Sequence, residues 1–184
     1  SDDNFKITVV DDLARGERLL LLNEARKLTH VGIGYDVHRF KNGTSLKLCG
    51  IKIPYSKSLE GHSDADVAMH AITDALLGAI GAGDIGLFFP PTDPQWKDVS
   101  SDVFLCQAGK EILDRRGSII NIDLTIICET PKISPYRYQM RNNIAKILNL
   151  SHDQVNVKAT TTEGLGFIGR SEGIAAEAVA SVII

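Results

Sequence analysis

Residues 174–184 have the sequence IAAEAVASVII. Apolar side chains recur at every second position from Ile174 to Ile184, the period at which a β-strand presents residues on one face. The alanines would also suit a helix, but the period of two favours a strand. Only Glu177 and Ser181 are polar on the other face, so we expect both faces of the surrounding sheet to be covered.

The segments before this strand alternate between strand and helix patterns, with a loop rich in Pro, Gly and Asp between them. Strands are predicted at 31–38, 46–48, 51–53, 120–128 and 155–160, helices at 63–80, 101–116 and 136–148, and the loop at 84–98. We expect Ser63 to cap the first helix in a capping box with Asp66. In the second helix, we expect Val103, Ile112 and Leu113 to face inward.

These elements predict an α/β (α+β) two-layer sandwich with a mixed β-sheet that helices cover on one face. Oligomerisation is the simplest way to bury the other face. Residues 1–30 differ from the rest, with a strand pattern at 5–10 and a helix pattern that Asp11 or Asp12 can cap and that continues to about Leu28. We therefore place a domain boundary there and assign 31–184 to the main domain.

Composition excludes several classes of function. The 184 residues are 43% apolar and 23% charged, with a formal net charge of −3, as in soluble globular proteins. The sequence has no basic stripe of the kind that would indicate nucleic-acid binding, and it has no apolar stretch long enough to span a membrane. The polar, acidic start lacks a signal-peptide pattern, so we expect a cytoplasmic protein. The scattered Cys49, Cys106 and Cys128 are expected to be small buried hydrophobes in a reducing compartment.

Three residues form a candidate metal site. Asp36 and His38 are two apart on a predicted strand and so share a face, while His70 lies in the middle of a predicted helix. A carboxylate and two imidazoles suit Zn²⁺ with a fourth position open to substrate. On spacing alone, however, the plainer interpretation is favoured, with Asp36 in a turn and His70 as a hydrogen-bonded core residue.

The predicted helix at 63–80 carries further polar residues. Asp66, His70 and Asp74 are four apart and form one stripe. Asp66 is expected to orient an imidazole, to cap the helix, or to do both. His62 and Ser63 lie at its N-terminus, where backbone amides favour an anion. The alternative for His62 is an exposed loop histidine.

The segment at 158–170 combines hydroxyls, a carboxylate, glycines and an arginine in one loop. Thr160, Thr161 and Thr162 suit phosphate oxygens, and Glu163 suits Mg²⁺ or Mn²⁺. A β-turn with a threonine-rich edge is the less favoured alternative. The acidic loop at 84–98 is either a plain turn or a lid over the metal site, and Lys132 either meets a phosphate or base or is solvent-exposed.

These motifs, taken together, resemble the 2-C-methyl-D-erythritol 2,4-cyclodiphosphate synthase family. The matching segments are 34–38, 62–78, 84–86 and 156–170, in that order, and the resemblance extends from Val31 to the end of the sequence. Pro91 departs from it, since relatives usually carry an acidic residue there. The implied enzyme is a phosphorus–oxygen lyase of the non-mevalonate isoprenoid pathway. It converts 4-diphosphocytidyl-2-C-methyl-D-erythritol 2-phosphate to 2-C-methyl-D-erythritol 2,4-cyclodiphosphate and releases CMP.

The resemblance also implies roles for particular residues. Zn²⁺ would bind Asp36, His38 and His70, a second ion (Mg²⁺ or Mn²⁺) would bind Glu163, and His62 and Thr161 would stabilise the transition state. The implied substrate-binding residues are Asp36, His38, His62, Ser63, Asp84, Gly86, Phe89, Asp93, Lys132, Thr160, Thr161, Thr162, Glu163, Phe167 and Arg170. The implied nucleotide-binding residues are Asp74, Cys128, Thr130, Pro131, Lys132, Ile133 and Ser134.

The family is homotrimeric with active sites between subunits. Tyr35, Phe167, Arg170 and Glu177 match positions near a central cavity that holds an isoprenoid diphosphate in relatives. Residues 4–14 resemble the tail of the pathway's cytidylyltransferase, so residues 1–30 are interpreted as the tail of a fused domain plus a linker. Two rival functions remain at this point: a zinc-dependent phosphoesterase, and a non-catalytic trimer that binds an isoprenoid or a nucleotide.

Overall fold

The computed structural model describes residues 13–16, 28–61, 63–90, 92–96 and 99–184. Residues 13–16 are helical, in agreement with the predicted N-terminal helix, whereas the predicted strand at 5–10 lies outside the described residues. His62 and Pro91 also lie outside them.

Seven strands and five labelled α-helices make up the described part of residues 28–184. The strands are β1 (Thr29–Asn42), β2 (Ser45–Leu48), β3 (Ile51–Pro54), β4 (Lys57–Leu59), β5 (Ser118–Ile127), β6 (Val155–Thr160) and β7 (Gly173–Ile183). The helices are α1 (Val67–Ala79), α2 (Ile85–Phe88), α3 (Ser101–Asp114), α4 (Arg137–Leu148) and α5 (Gly166–Gly169). None of the helices in this part of the chain is long and apolar enough to cross a membrane.

The main sheet is mixed, as predicted, with strand order β4-β1-β7-β5-β6. Strands β5 and β6 run parallel, and the other neighbours are antiparallel. Residues 174–183 form most of β7, the central strand, which pairs with β1 from Thr29↔Ile183 to Arg39↔Gly173. Strands β2 and β3 form a separate hairpin. The predicted strand assignment for residues 174–184 is thus confirmed.

Helices cover one face of this sheet. The alternate β7 residues Ile174, Ala176, Ala178, Ala180 and Val182 are fully buried under them. The closest approach is between α1 and β1, because a Cβ at Gly32 would overlap the backbone of Ala75 and Ala79. The predicted layer of helices on one face is therefore confirmed.

Most of the other face of the sheet is left uncovered by the described residues. Along β1 it presents Val31, Ile33, Tyr35 and Val37, and Ile33 is 67% exposed. Monomeric proteins rarely expose a contiguous apolar surface of this kind. This uncovered face is defined here by those four residues together with Val179 of β7.

Several local predictions were wrong. Helix α1 begins at Val67, and its N-cap is Asp66, whose carboxylate accepts a hydrogen bond from Met69 N. Ser63 does not cap the helix, because Ala65 has a positive φ of 56° and separates Ser63 from the first turn.

Helix α3 is rotated relative to its predicted orientation. Val103 and Leu113 are exposed, and the side that packs inward is formed by Phe104, Leu105, Ala108 and Ile112. A stripe through 104, 105, 108 and 112 has the helical period, whereas 103, 112 and 113 do not lie on one face. The same rotation places Cys106 on the surface, unlike the buried Cys49 and Cys128. The prediction of three buried cysteines is therefore wrong for Cys106.

Candidate active site

The candidate metal ligands converge across the contact between β1 and α1. Asp36 and His38 point from β1 towards the helix layer, and His70 extends from α1 to meet them. Asp36 Oδ2 lies 2.9 Å from His38 Nε2 and 3.0 Å from His70 Nδ1. The two imidazole nitrogens are 3.2 Å apart. Three potential ligand atoms therefore form a nearly equilateral triangle.

The triangle has the size that a metal ion requires. Ligand atoms about 2.0–2.2 Å from a tetrahedral Zn²⁺ lie roughly 3.3 Å from one another. Within the described parts of the chain, this is the one group of three or more His, Cys, Asp or Glu side chains with such convergence. A carboxylate oxygen and two imidazole nitrogens suit a borderline-soft divalent ion, and the open side of the triangle faces a pocket.

The three side chains also influence one another's protonation. Burial alone would raise the pKa of Asp36, but hydrogen bonds from His38 and His70 outweigh it and hold that pKa well below its usual range. Burial would lower the pKa of His38, yet the Asp36 carboxylate raises it above its usual value. Asp36 is therefore an anion at neutral pH, as a metal ligand must be.

Each imidazole is oriented by contacts to the ring nitrogen that faces away from the triangle. His38 Nδ1 hydrogen-bonds to the carbonyl oxygen of Glu60. His70 Nε2 lies 2.9 Å from Ser101 Oγ and 3.1 Å from Ser63 Oγ. These contacts leave His38 Nε2 and His70 Nδ1 to face the centre of the triangle.

Asp66 has no hydrogen bond to either imidazole. Its carboxylate accepts from the backbone N–H groups of Cys49, Gly50 and Met69. The side chain is fully buried, and burial raises the pKa of Asp66 to about 6 despite these hydrogen bonds. Of the two roles predicted for Asp66, the structure thus supports helix capping, with Asp66 as the N-cap itself.

A pocket of about 420 Å³ opens beside the triangle. Of the predicted residues, it is lined by Asp36, His38, Ser63, His70, Asp74, Gly86, Phe89 and Asp93. Asp74 accepts a hydrogen bond from Ile85 N at 2.7 Å and so fixes the start of α2. Asp84 is the N-cap of α2, where it accepts from Leu87 N at 2.9 Å.

One wall of the pocket is aromatic. Phe89 packs on Phe104 with 4.4 Å between ring centroids and meets Trp96 edge-on at 5.0 Å. Phe104 in turn lies 6.0 Å from the His70 ring. Trp96 and Phe104 were not among the predicted site residues. The inward stripe of α3 would have indicated Phe104, but no local pattern distinguishes Trp96 from an ordinary loop residue.

The threonine loop lies elsewhere in the fold. Thr161 Oγ1 donates to Glu163 Oε1 at 2.7 Å, and Glu163 adopts a positive φ of 53°. Glu129 Oε1 accepts from Thr162 N at 2.9 Å, from Thr162 Oγ1 at 3.0 Å and from Gly164 N at 3.3 Å. These hydrogen bonds, led by the one from Thr162 N, lower the pKa of Glu129. The sequence interpretation passed over Glu129, although it stands between two predicted site residues.

The predicted nucleotide-binding residues 128 and 130–134 adjoin this loop. Cys128 N donates to Thr160 O at 3.1 Å, and Thr130 Oγ1 lies 2.6 Å from Tyr55 Oη. Pro131 follows a cis peptide, Ile133 is buried, and Lys132 and Ser134 are exposed. Residues 128–134 and 160–163 therefore form one continuous surface, which we call the loop surface.

The loop surface and the metal triangle are far apart within the chain. Asp36 pairs with Ala176 of β7, Ala176 with Ile126 of β5, and Ile126 with Ala159 of β6. Three strand spacings separate Asp36 from Ala159, which is about 14 Å. None of the predicted residues from 128–134 or 160–163 lines the pocket beside the triangle.

The four residues matched to a central cavity also have defined positions. Tyr35 lies opposite Glu177 in the β1–β7 ladder, on the uncovered face. Phe167 lies in the short helix α5 and is 39% exposed. Arg170 Nε donates to Glu172 Oε1 at 2.7 Å.

The fold and the site together define the class of protein. It is an α/β protein with a mixed sheet, a three-residue Asp/His group that could hold a divalent metal ion, and a separate hydroxyl-rich loop. The chain belongs to the YgbB family, whose model matches residues 29–183. A solved structure described as a 2C-methyl-D-erythritol-2,4-cyclodiphosphate synthase in a CDP-bound form, 39% identical with a TM-score of 0.75, confirms the predicted resemblance to the cyclodiphosphate synthases.

Similar proteins agree with this family. The chain is 61% identical over 182 residues to the "Bifunctional enzyme IspD/IspF" of Bartonella quintana, covering 98% of this chain and 46% of the relative. Identity to the enzyme of the same name from Gluconobacter oxydans is 50% over 184 residues, covering 100% of this chain and 47% of the relative. The chain thus spans about half the length of these relatives.

A solved structure described as the bifunctional IspDF from Campylobacter jejuni matches with a TM-score of 0.82 and 41% identity, covering 85% of this chain and 42% of that one. A Plasmodium falciparum IspF structure described as a CDP complex matches with a TM-score of 0.74 and 36% identity. That match covers 84% of this chain and 96% of the Plasmodium chain.

Proposed function

We propose that this chain closes 2-C-methyl-D-erythritol 2,4-cyclodiphosphate from 4-diphosphocytidyl-2-C-methyl-D-erythritol 2-phosphate and expels CMP, as a step of non-mevalonate isoprenoid synthesis. The observation that carries the proposal is the triangle of Asp36, His38 and His70 at the mouth of a part-apolar pocket. Membership of the YgbB family and likeness to synthase structures described with bound CDP support it.

In the proposed reaction, an oxygen of the substrate's 2-phosphate attacks the β-phosphorus in line. One P–O bond forms, the bond between the β-phosphorus and the bridging oxygen breaks, and the bridging oxygen leaves with CMP. The protein supplies no nucleophile, so its work is positioning and neutralisation of charge. Zn²⁺ bound by Asp36, His38 and His70 would supply positive charge to the β-phosphate oxygens.

The pocket favours cyclisation over hydrolysis. Its wall of Phe89, Trp96 and Phe104 offers an apolar surface to the methylerythritol carbons, and a substrate that fills the pocket would displace an attacking water. Ser63 and the acidic side chains Asp84 and Asp93 stand near the polyol hydroxyls in this proposal. His62 and Thr161 are proposed as the groups that stabilise the developing phosphate charge.

The loop surface would hold the rest of the substrate. Glu163 would bind a second divalent ion, Mg²⁺ or Mn²⁺, which would supply positive charge to the diphosphate. Thr160, Thr161 and Thr162 present hydroxyls beside it. The strip of residues 128 and 130–134, with Lys132 at its centre, would bind the cytidine together with Asp74.

A second copy of the chain is needed to bring these parts together. Ala159, which leads into the loop surface, lies three strand spacings or about 14 Å from Asp36, too far for both to contact one diphosphate. The uncovered face offers an apolar contact to another copy. We therefore propose a homotrimer in which the triangle of one subunit meets the loop surface of its neighbour.

The whole protein is proposed to be a fused cytidylyltransferase and cyclodiphosphate synthase of the cytoplasm, with residues 1–30 as the tail of the first domain and the linker. The names of the bifunctional relatives and their greater length support this proposal.

Phosphorus NMR of the reaction with the cytidine substrate tests the proposed activity. We expect resonances of CMP and of a cyclic diphosphate, lost on chelation and restored by Zn²⁺. Release of inorganic phosphate would instead identify a phosphoesterase. Binding without turnover would identify a non-catalytic nucleotide- or isoprenoid-binding protein.

A further inference from the structure

A chain of hydrogen bonds runs outward from His70 to a lysine on another element. His70 Nε2 lies 2.9 Å from Ser101 Oγ, and Ser101 Oγ donates to Asp64 Oδ1. Asp64 Oδ2 accepts from Lys47 Nζ at 2.6 Å and from Ser101 N at 3.1 Å. Lys47 lies on β2 and Ser101 begins α3, so three segments outside the metal-binding strand meet behind one ligand.

When His70 binds a metal, the donors and acceptors along the path from His70 through Ser101 to Asp64 have one consistent order. A metal on Nδ1 uses that nitrogen's lone pair, so the neutral imidazole carries its proton on Nε2. Nε2–H then donates to Ser101 Oγ, whose own proton is donated to Asp64. Asp64 stays anionic because, although burial would raise its pKa, hydrogen bonds from Lys47 and Ser101 lower it.

We propose that Asp64 and Ser101, held by Lys47, are positioning residues that fix the tautomer and ring orientation of His70 and so tighten metal binding. The inference rests on the proposed metal site and adds residues to which the sequence interpretation gave no role. Ser101 is fully buried and the Asp64 side chain is 15% exposed, so water competes poorly for these hydrogen bonds.

Ser63 offers the alternative acceptor for Nε2–H. Its Oγ is 3.1 Å away, farther than that of Ser101. Among the described contacts, Ser63 has no carboxylate behind it, so it lacks the anionic end that makes the Ser101 path a stronger acceptor. Ser63 also lines the pocket, which suits a substrate contact better than ligand support.

Zinc affinity of the full chain, measured by competition with a chromophoric chelator, tests this inference. Ser101→Ala and Asp64→Asn are each expected to weaken zinc binding by about 10- to 100-fold, the usual effect of removing an outer partner of a metal-bound histidine. Lys47→Met should weaken it less, because the Asp64–Ser101 contact remains. Lys52, directly across the β2–β3 ladder from Lys47, is the matched control, and Lys52→Met should leave zinc affinity unchanged.

The double variant distinguishes a relay, in which Asp64 acts on His70 through Ser101, from two independent effects on zinc binding. If Asp64 acts through Ser101, Ser101→Ala with Asp64→Asn should weaken zinc binding little more than the stronger single change does. Zinc affinity within about twofold of wild type in Ser101→Ala, or additive effects in the double variant, would overturn the relay and leave the metal site standing.

Two further results complete the test. Asp64 also accepts from the backbone at the start of α3, so Asp64→Asn can fail to fold; in that case Ser101→Ala alone decides the outcome. Wild-type protein that binds no zinc would instead overturn the proposed metal site, and the relay with it.

Discussion

Gly34 on β1 lies directly against the carbonyl oxygen of Ala71 on α1. A Cβ at position 34 would overlap that oxygen and lie only 2.7 Å from Ala75 N. Asp36 follows two residues after Gly34, and His70 immediately precedes Ala71, so this backbone contact sets the distance between the metal ligands. The close approach of strand and helix is therefore a condition for the site as well as for the core.

Gly34→Ala should separate the two halves of the metal triangle. The added methyl group must displace α1, and overpacking of this kind costs about 1–3 kcal/mol, occasionally more. We expect a lower melting temperature and a loss of zinc affinity, measured by thermal unfolding and by zinc titration. Gly78→Ala on the facing helix is the control, since its Cβ would meet only Ile33 O at 3.9 Å. Normal zinc affinity in Gly34→Ala would contradict this explanation.

Glu129 should support the second metal without affecting the first. Glu129→Ala removes the carboxylate that holds Thr162 and Gly164 on either side of Glu163. We expect Mn²⁺ binding in the presence of cytidine diphosphate to weaken by about 10-fold, as seen by electron paramagnetic resonance, while zinc affinity stays unchanged. Glu111→Ala, on α3, should leave Mn²⁺ binding as it was. Equal Mn²⁺ affinities in wild type and Glu129→Ala would rule out this supporting role.

The uncovered face should hold the trimer together. Ile33→Asp places a charge at the centre of that face, where association would leave the carboxylate buried and unpaired. We expect sedimentation to show trimers for the wild type and single chains for the variant. Leu113 is 69% exposed, against 67% for Ile33, but lies on α3, so Leu113→Asp should remain trimeric. An unchanged mass for Ile33→Asp would place the interface elsewhere.

The buried N-cap of α1 should give stability a characteristic dependence on pH. Burial raises the pKa of Asp66 to about 6. The Asp66 carboxyl group therefore keeps its proton in the folded protein at pH values at which it has lost that proton in the unfolded protein. This contribution is therefore complete only below the unfolded-state pKa, at about pH 3, and is lost as the pH rises through about 6 to about 7, by roughly 2–3 kcal/mol in total.

Comparison of unfolding free energies of wild type and Asp66→Asn at several pH values isolates this contribution. The advantage of the wild type over the variant should shrink between about pH 3 and pH 7 and then stay constant. An advantage that grows across that range would show that the backbone hydrogen bonds to Asp66 outweigh its burial.

Much of the fold follows from periodicity in the sequence. The period of two in residues 174–184 correctly predicted the central strand, and the predicted helices and mixed sheet are present. The two local errors had different causes. The orientation of α3 was misjudged although its stripe through residues 104, 105, 108 and 112 has the helical period. The N-cap of α1 depends instead on tertiary contacts of Asp66 with the backbone of residues 49 and 50, which local patterns do not contain.

Less of the candidate site than of the fold could be predicted from the sequence. Asp36 and His38 share a strand face by spacing alone, but their meeting with His70 depends on the docking of α1 on Gly32 and Gly34. Ser101 and Trp96 reach the site from segments with no distinctive motif. The separation of the loop surface from the triangle follows only from the strand order.

Activity of mixed trimers tests the central claim most directly. His70→Ala lacks a triangle ligand and Glu163→Ala lacks the loop carboxylate, so each variant alone should form no cyclic diphosphate. When the two are unfolded together and reassembled in equal amounts, about one interface in four pairs an intact triangle with an intact loop. We therefore predict that phosphorus NMR will show cyclic diphosphate and CMP at roughly a quarter of the wild-type rate. Mixed assemblies as inactive as either parent would contradict a site shared between subunits.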